Sequence, residues 1–366
     1  MASTTPYHFI YFISSHGFGH AARATAVIAA VNRLMPGCRF TVFTTVASWF
    51  FESAIDIQIT LEPLDADLGL IQTDALTEDL PATLRALKDR IPFPESILDD
   101  ISRRVDELGA NVVVCDIAPL GLAVAERCGV PSVLVENFTW DWIYRGYIAN
   151  CPELEPIAAY LEKTFSGATH RVQTEPACSL STHAIQVAPV SRRPRHHRAK
   201  VRRQLGVPDD VPLAVFSMGG VNWDYNTLAT ELDNHKLWIV TFGSQTPVRH
   251  EHVIQLPHQS EFFHPDLIHA ADVVVGKLGY STLAEVWDAG SRFGYLARPN
   301  FRESATLEAW AQEELTCRRL EASELKTGEW LDTILELLRK PRSRADRAGG
   351  ADAIAQVLIE VASLVP

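Results

Sequence analysis

No apolar run in this sequence approaches the roughly 18–20 residues that a helix needs to span a bilayer. The first residues show no charged stretch followed by a cleavable apolar segment, so no secretion signal is evident. Cysteine is sparse and unpatterned: the six residues form no CxxC pair, and Cys115 lies inside the apolar run VVVCDI. Such cysteines suit reduced core thiols of a cytoplasmic protein rather than a zinc site or a disulfide framework. Positive charge is also in short supply. The net charge is −12, whereas a nucleic-acid partner needs a basic surface to meet its phosphates. One run, SRRPRHHRAKVRR over 191–203, breaks the acidic pattern. The chain has no internal repeat, no low-complexity segment and no GxxxxGK[ST] loop, which argues against a P-loop kinase.

What the chain does have is ordinary globular composition, 47% hydrophobic and 21% charged over 366 residues, enough for two domains. Short apolar runs alternate with helical stretches throughout. YHFIYFIS, RFTVFTTV, IDIQITL, NVVVCDI, SVLVENF and AIQVAPV read as strands of the first half. LAVFSMG, KLWIVTFG, VIQLP, DVVVGKLG and FGYLARP read as strands of the second. Continuous apolar strands separated by helices predict parallel sheets covered on both faces. The basic run with Pro194, followed by GVPDDVP, is the one convincing linker; it is expected to be solvated or, in the alternative, to contact a phosphorylated or lipid-linked molecule. The expected organisation is an N-terminal domain over 1–190, a basic linker over 191–210 and a C-terminal domain over 211–345. A C-terminal helix over 346–366 is expected to pack back on the first domain. In doubly wound sheets, ligands bind outside the carboxyl ends of the strands.

Two such strand ends carry chemistry. In HGFGH (16–20), Gly17 and Gly19 sit between a buried strand and an alanine-rich helix, where the backbone must turn tightly. His20 and His16 there suit either a base or packing. In GKLGYSTLAEV (276–286), a strand ends at Lys277, Gly279 turns the chain, and Ser281 and Thr282 open a helix. Free N–H groups at a helix start, two hydroxyls and a lysine make an anion site. Glu285 lies one turn further in, where a carboxylate suits two ribose hydroxyls. The same residues also suit an ordinary capped helix. ENFTWDWIYRGY gathers Phe138, Trp140, Asp141, Trp142 and Tyr144 after a strand end, a set that suits either a sugar ring or a plain core with a polar rim. Asp65 and Asp67 form a short acidic pair, discounted as a metal site; Asp67, Gln72 and Asp74 are expected to border the ligand cleft.

ADVVVGKLGYSTLAEV…YLARPNFRE resembles the donor-binding motif of GT-B glycosyltransferases. It is similar to the lipid II-forming N-acetylglucosaminyltransferase and plant UDP-glycosyltransferase families. SHGFGHAAR, DLGLIQTDAL and VVVCDIAPLG…GVPSVLVENFTWDWIY extend the likeness, over most of the chain, to the glycosyltransferase-like N-terminal half of plant L-arabinokinases. The resemblance implies a GT-B fold, two doubly wound Rossmann-like domains facing a cleft. It implies that Gly279, Tyr280, Ser281 and Thr282 hold the donor's diphosphate, that Glu285 takes its ribose, and that Glu303, four places after Pro299, meets the donor sugar. Lys277 replaces the family's motif histidine and keeps positive charge at the diphosphate. Gly219 and Gly220 in FSMGGVNWD are expected to close over the diphosphate from the other side.

By the same resemblance His20 is the base that takes the acceptor's proton, a task that suits histidine because it titrates near working pH. Asp116 orients it. His16, Gly17, Gly19, Asn137, Trp140, Asp141 and Trp142 are expected on the acceptor side. The implied activity is inverting, metal-independent transfer from a nucleotide sugar, UDP-linked, to a hydroxyl acceptor in the cytoplasm, because Phe293 stands where retaining relatives often carry a second glutamate. No metal or cofactor is implied; the nucleotide sugar is a co-substrate. A lipid-linked acceptor would bring peripheral membrane contact. The alternatives are a nucleotide-sugar 2-epimerase or hydrolase, and a non-catalytic nucleotide-sugar sensor.

Overall fold

The run HFIYFI buries every one of its side chains, as a strand does where helices cover both faces of its sheet. It forms β1 (His8–Ile13) in the computed structural model, which describes residues 7–73, 77–218, 237–257, 259–343 and 347–365. The chain divides into two compact units. One is built from the described parts of Met1–Thr73, Glu78–Val190 and Gly349–Pro366, the other from those of Asp74–Thr77 and Ser191–Ala348.

Among the described residues, the first unit holds a seven-stranded sheet. Its strands are β1, β2 (Arg39–Thr44), β3 (Thr60–Pro63), β4 (Val112–Asp116), β5 (Ser132–Glu136), β6 (His170–Thr174) and β7 (Ile185–Val187). Their order is β3-β2-β1-β4-β5-β6-β7, parallel throughout. The order reverses between β1 and β4, and the register pairs Ile13 with Asp116. The residues that leave β1 and the last residue of β4 therefore emerge together at the switch point. The helix Gly19–Leu34 covers one face. The helix Ala351–Ser363 packs against it through Ile354, Leu358 and Val361, spaced to share one helical face.

The second unit repeats the plan. Its strands are β8 (Leu213–Ser217), β9 (Trp238–Ser244), β10 (Val248–His250), β11 (Val253–Pro257), β12 (Val273–Lys277), β13 (Arg292–Leu296) and β14 (Cys317–Arg319). Their order among the described residues is β10-β11-β9-β8-β12-β13-β14, with only β10 antiparallel. Here the order reverses between β8 and β12. The two approach so closely that a Cβ on Gly276 would lie 2.1 Å from the Ser217 carbonyl oxygen. Lys277, the next residue, ends β12 at the switch point.

The basic run is solvated only in part: Arg193, Arg195, His197, Lys200 and Arg203 are exposed, but others are drawn in. Arg192 is buried against Glu285, and the helix Arg198–Leu205 buries Arg202 completely. Arg202 and Arg198 pair with Asp272, and Asp266 accepts from the backbone N–H groups of Arg195 and His196. Carboxylates of the second unit draw in part of a stretch that composition alone assigns to solvent.

Candidate functional site

At the switch point of the first unit, Gly17 takes a left-handed φ of 75° and turns the chain into the helix Gly19–Leu34. His20 stands in the first turn of that helix. Its Nδ1 lies 2.8 Å from Oδ1 of Asp116, and 8% of its surface stays accessible. A carboxylate only accepts, so Nδ1 donates, and in the neutral imidazole the lone pair then lies on Nε2. Asp116 does not cap the following helix, Pro119–Cys128, whose N-cap is Ala118. Between them Ile117 is held at φ 48°, a strained conformation for a β-branched residue that costs on the order of 1–3 kcal/mol. Such strain persists where packing over-determines it, and it gathers at functional sites.

A third residue, to which the sequence reading gives no part, completes the cluster. Arg23 lies one turn after His20 and grips Asp116 with two hydrogen bonds, Nε to Oδ2 at 2.8 Å and Nη2 to Oδ1 at 2.6 Å. Burial pushes the Asp116 carboxyl up, but the Arg23 guanidinium and the His20 imidazole outweigh it and hold the group below its ordinary value. Asn137, expected at the acceptor, is fully buried instead, and its Oδ1 accepts from Arg23 Nη1 at 2.9 Å.

Trp140 is likewise no open platform. It is buried, stacked on Tyr144, edge-on to His16 at 5.4 Å, and its Nε1 donates to Asp67 at 2.7 Å. Asp67 also accepts from Ser14. Burial pushes the Asp67 carboxyl up to about 6, against the His20 ring in its protonated form and the hydrogen bonds from Trp140 and Ser14. Asp141 and Trp142 are half-buried on the helix Trp140–Arg145. A cavity of about 320 Å³ lies beside Asp67, lined by Leu68, Leu87, Phe93, Leu120, Trp140 and Leu161. That size and lining suit an apolar ligand.

At the switch point of the second unit, the helix Tyr280–Ala289 starts from Gly279 with no side-chain cap, so neither Ser281 nor Thr282 caps it. Its first backbone bond is Leu283 N–H to the Gly279 carbonyl, one turn in. Lys277 lies across this start: a Cβ on Gly279 would meet its Cε at 3.9 Å. Burial and the charge of Arg298 push the Lys277 ammonium down to about 8, and Glu303 opposes them. Glu303 opens the helix Glu303–Glu314 and is buried. Arg298, which the sequence reading passed over, is buried two residues beyond the end of β13, its guanidinium over the Phe301 ring.

Glu285 is already engaged. Arg192 donates to Oε1 through Nε at 3.0 Å and Nη2 at 2.8 Å, and His264 Nδ1 meets Oε2 at 2.8 Å. The other ring nitrogen of His264 reaches Ser217 Oγ at 2.9 Å. Burial pushes the Glu285 carboxyl up, yet Arg192 and His264 together bring it down to about 2. A ribose at this carboxylate would share it with two side chains. Asp74, Gly219 and Gly220 lie outside the described residues.

Two parallel-dominated sheets of this order, with polar side chains gathered at both switch points, define the GT-B fold of glycosyltransferases. The glycosyltransferase of kitacinnamycin has the same fold, at TM-score 0.67 and 14% identity, covering 99% of this chain and 100% of that one. So does UGT89C1 of Arabidopsis thaliana, solved with UDP-L-rhamnose, at TM-score 0.62 and 12% identity, covering 99% and 100%. In sequence the chain is similar to L-arabinokinase of Arabidopsis thaliana, 27% identical over 366 residues. That match takes in 99% of this chain but only 35% of the plant protein, so the chain spans about a third of its relative. No family model matches the chain.

Proposed function

We propose that this chain is an inverting glycosyltransferase that moves a sugar from a nucleotide diphosphate-sugar, UDP-linked, to a hydroxyl acceptor without a metal ion. The observation that carries the reading is the buried His20–Asp116 pair at the switch point of a GT-B sheet. His20 Nε2 accepts the proton of the acceptor hydroxyl as its oxygen attacks the anomeric carbon; Asp116 holds the imidazole in the required tautomer and stabilises the imidazolium that forms. Attack from the face opposite the leaving group inverts the anomeric centre.

In the second unit, the start of the helix Tyr280–Ala289, Lys277 and Arg298 receive the charge of the departing diphosphate. These cations take the part that a divalent metal plays elsewhere. The cavity beside Asp67 accommodates an apolar portion of the acceptor. The solved relative bound to UDP-L-rhamnose supports a UDP donor.

A thermal-shift screen of UDP-, TDP- and GDP-sugars tests the reading. A donor at 100 times its Kd stabilises the protein by about 2.7 kcal/mol, a plain rise in Tm. Absence of any shift across the set would refute it.

A further inference from the structure

Arg23 is 1% exposed, too deep for any substrate to reach. It nevertheless makes the densest set of polar contacts at the first switch point. Beyond its two bonds to Asp116, Nη1 donates to Asn137, with Thr174 Oγ1 at 3.5 Å, and Nη2 comes within 3.4 Å of His20 Nδ1. The ends of β5 and β6 thus anchor one side of the guanidinium while the other faces both the carboxylate and the imidazole.

We propose that Arg23 is a positioning residue that keeps His20 neutral and in the tautomer a base requires. The proposal rests on the glycosyltransferase reading of this site, although its test does not. A buried carboxylate facing an imidazole alone favours the imidazolium, because Coulomb attraction between charges a few ångströms apart is strong away from water. An imidazolium carries a proton on both nitrogens and has no lone pair to offer. The fixed charge of Arg23 offsets that attraction, so the trio of guanidinium, carboxylate and imidazole carries no net charge while His20 is neutral. Its two-point grip also fixes the carboxylate plane, so that Oδ1 meets Nδ1–H and Nε2 stays the basic atom.

The groups packed around the trio sharpen the need. Asp67, from the loop after β3, acts on His20, and Glu136, at the end of β5, acts on Arg23. Tyr11 of β1 and Cys115 of β4 adjoin Asp116, and burial keeps both in their neutral forms. Glu136 is already paired with Arg171, so Asp67 is the neighbour that adds negative charge when ionised, and Arg23 offsets it.

The experiment is an NMR titration of protein labelled in its histidine rings, with His20 identified among the 13 histidines as the signal missing from His20→Gln. In Arg23→Gln the midpoint of His20 protonation rises by ~1 pH unit or more. In Asp116→Asn, where Arg23 faces the imidazole unopposed, it falls by a comparable amount. The acid limb of any donor turnover moves with it, so that Arg23→Gln loses rate at neutral pH and recovers it in alkali. A defect of packing alone would lower the rate at every pH. An unmoved His20 midpoint in folded Arg23→Gln overturns the proposal. Should that variant not fold, an unmoved midpoint in Asp116→Asn does the same. The expected NMR shifts without any sugar transfer would sink the glycosyltransferase reading and leave this one standing.

Discussion

Arg192 and Glu285, 93 positions apart, share a buried contact in which two guanidinium N–H groups donate to a single carboxylate oxygen. Arg192→Met leaves that carboxylate to His264 alone. Removing one partner of a buried pair costs about 3–5 kcal/mol, because the other charge is left uncompensated. Urea titration should show a loss of that order, and Glu285→Gln in the same chain should restore part of it. The sign with pH is fixed: the folded value, about 2, lies below the ordinary 4.5. The pair's contribution is full above 4.5 and disappears as the pH falls from there through about 2, so the gap between wild type and Arg192→Met narrows in acid.

Lys277 titrates in an accessible range, pushed down to about 8 by burial and Arg298. If it holds the diphosphate, UDP affinity falls as the pH rises past about 8 and the ammonium is lost. Lys277→Met should bind UDP about ten- to a hundred-fold more weakly at neutral pH, the worth of a charged hydrogen bond, and with a flat profile above it. Calorimetry at several pH values decides; an unchanged affinity in the variant would remove Lys277 from the site.

Asp67 is displaced the other way, from 3.8 up to about 6. A carboxyl that holds its proton more tightly when folded favours the native state at low pH, and that advantage is lost as the pH rises through about 6. Asp67→Asn keeps an oxygen to accept from Trp140 and turns its NH2 toward Ser14 Oγ, which can accept, without the buried charge. At pH 7.5 it should be more stable than wild type by ~2–3 kcal/mol, and the two should converge below pH 4. Equal stability at both ends would contradict the displacement.

Much of this was legible in the sequence. Uniformly apolar runs such as HFIYFI and VVVCD announce parallel strands, and the glycine-histidine turn and the lysine-glycine turn both fall where strand order reverses. Three strands were missed. HRVQT (β6) looks polar because its buried Gln173, with Arg171, is satisfied by Glu136 across the sheet. VRH (β10) and CRR (β14) are short, charged edge strands without periodicity. Arg23 was overlooked because an arginine in an alanine-rich helix reads as solvated; its burial follows from Asp116, 93 residues away. The basic run misled for the same reason, since Asp266, Asp272 and Glu285 that bury part of it lie far along the chain.

Metal independence has its own test. UDP-sugar binding, followed by thermal shift, should be the same in excess chelator as in millimolar magnesium. Loss of binding with chelator and its return with magnesium would contradict the assignment of the diphosphate to Lys277, Arg298 and the helix start.

The central claim is that His20 and Asp116 act as one base. It is tested most directly by a double-mutant cycle on initial rates of UDP release from a UDP-sugar in the presence of a panel of hydroxyl acceptors, with donor affinity measured alongside. His20→Ala should lower the rate by about 10²–10⁴-fold with donor affinity unchanged. Asp116→Asn should lower it too, and the double variant should lose little more than the worse single one, because the two residues work as a unit. Near-normal turnover by His20→Ala would contradict the account and leave HGFGH as architecture alone.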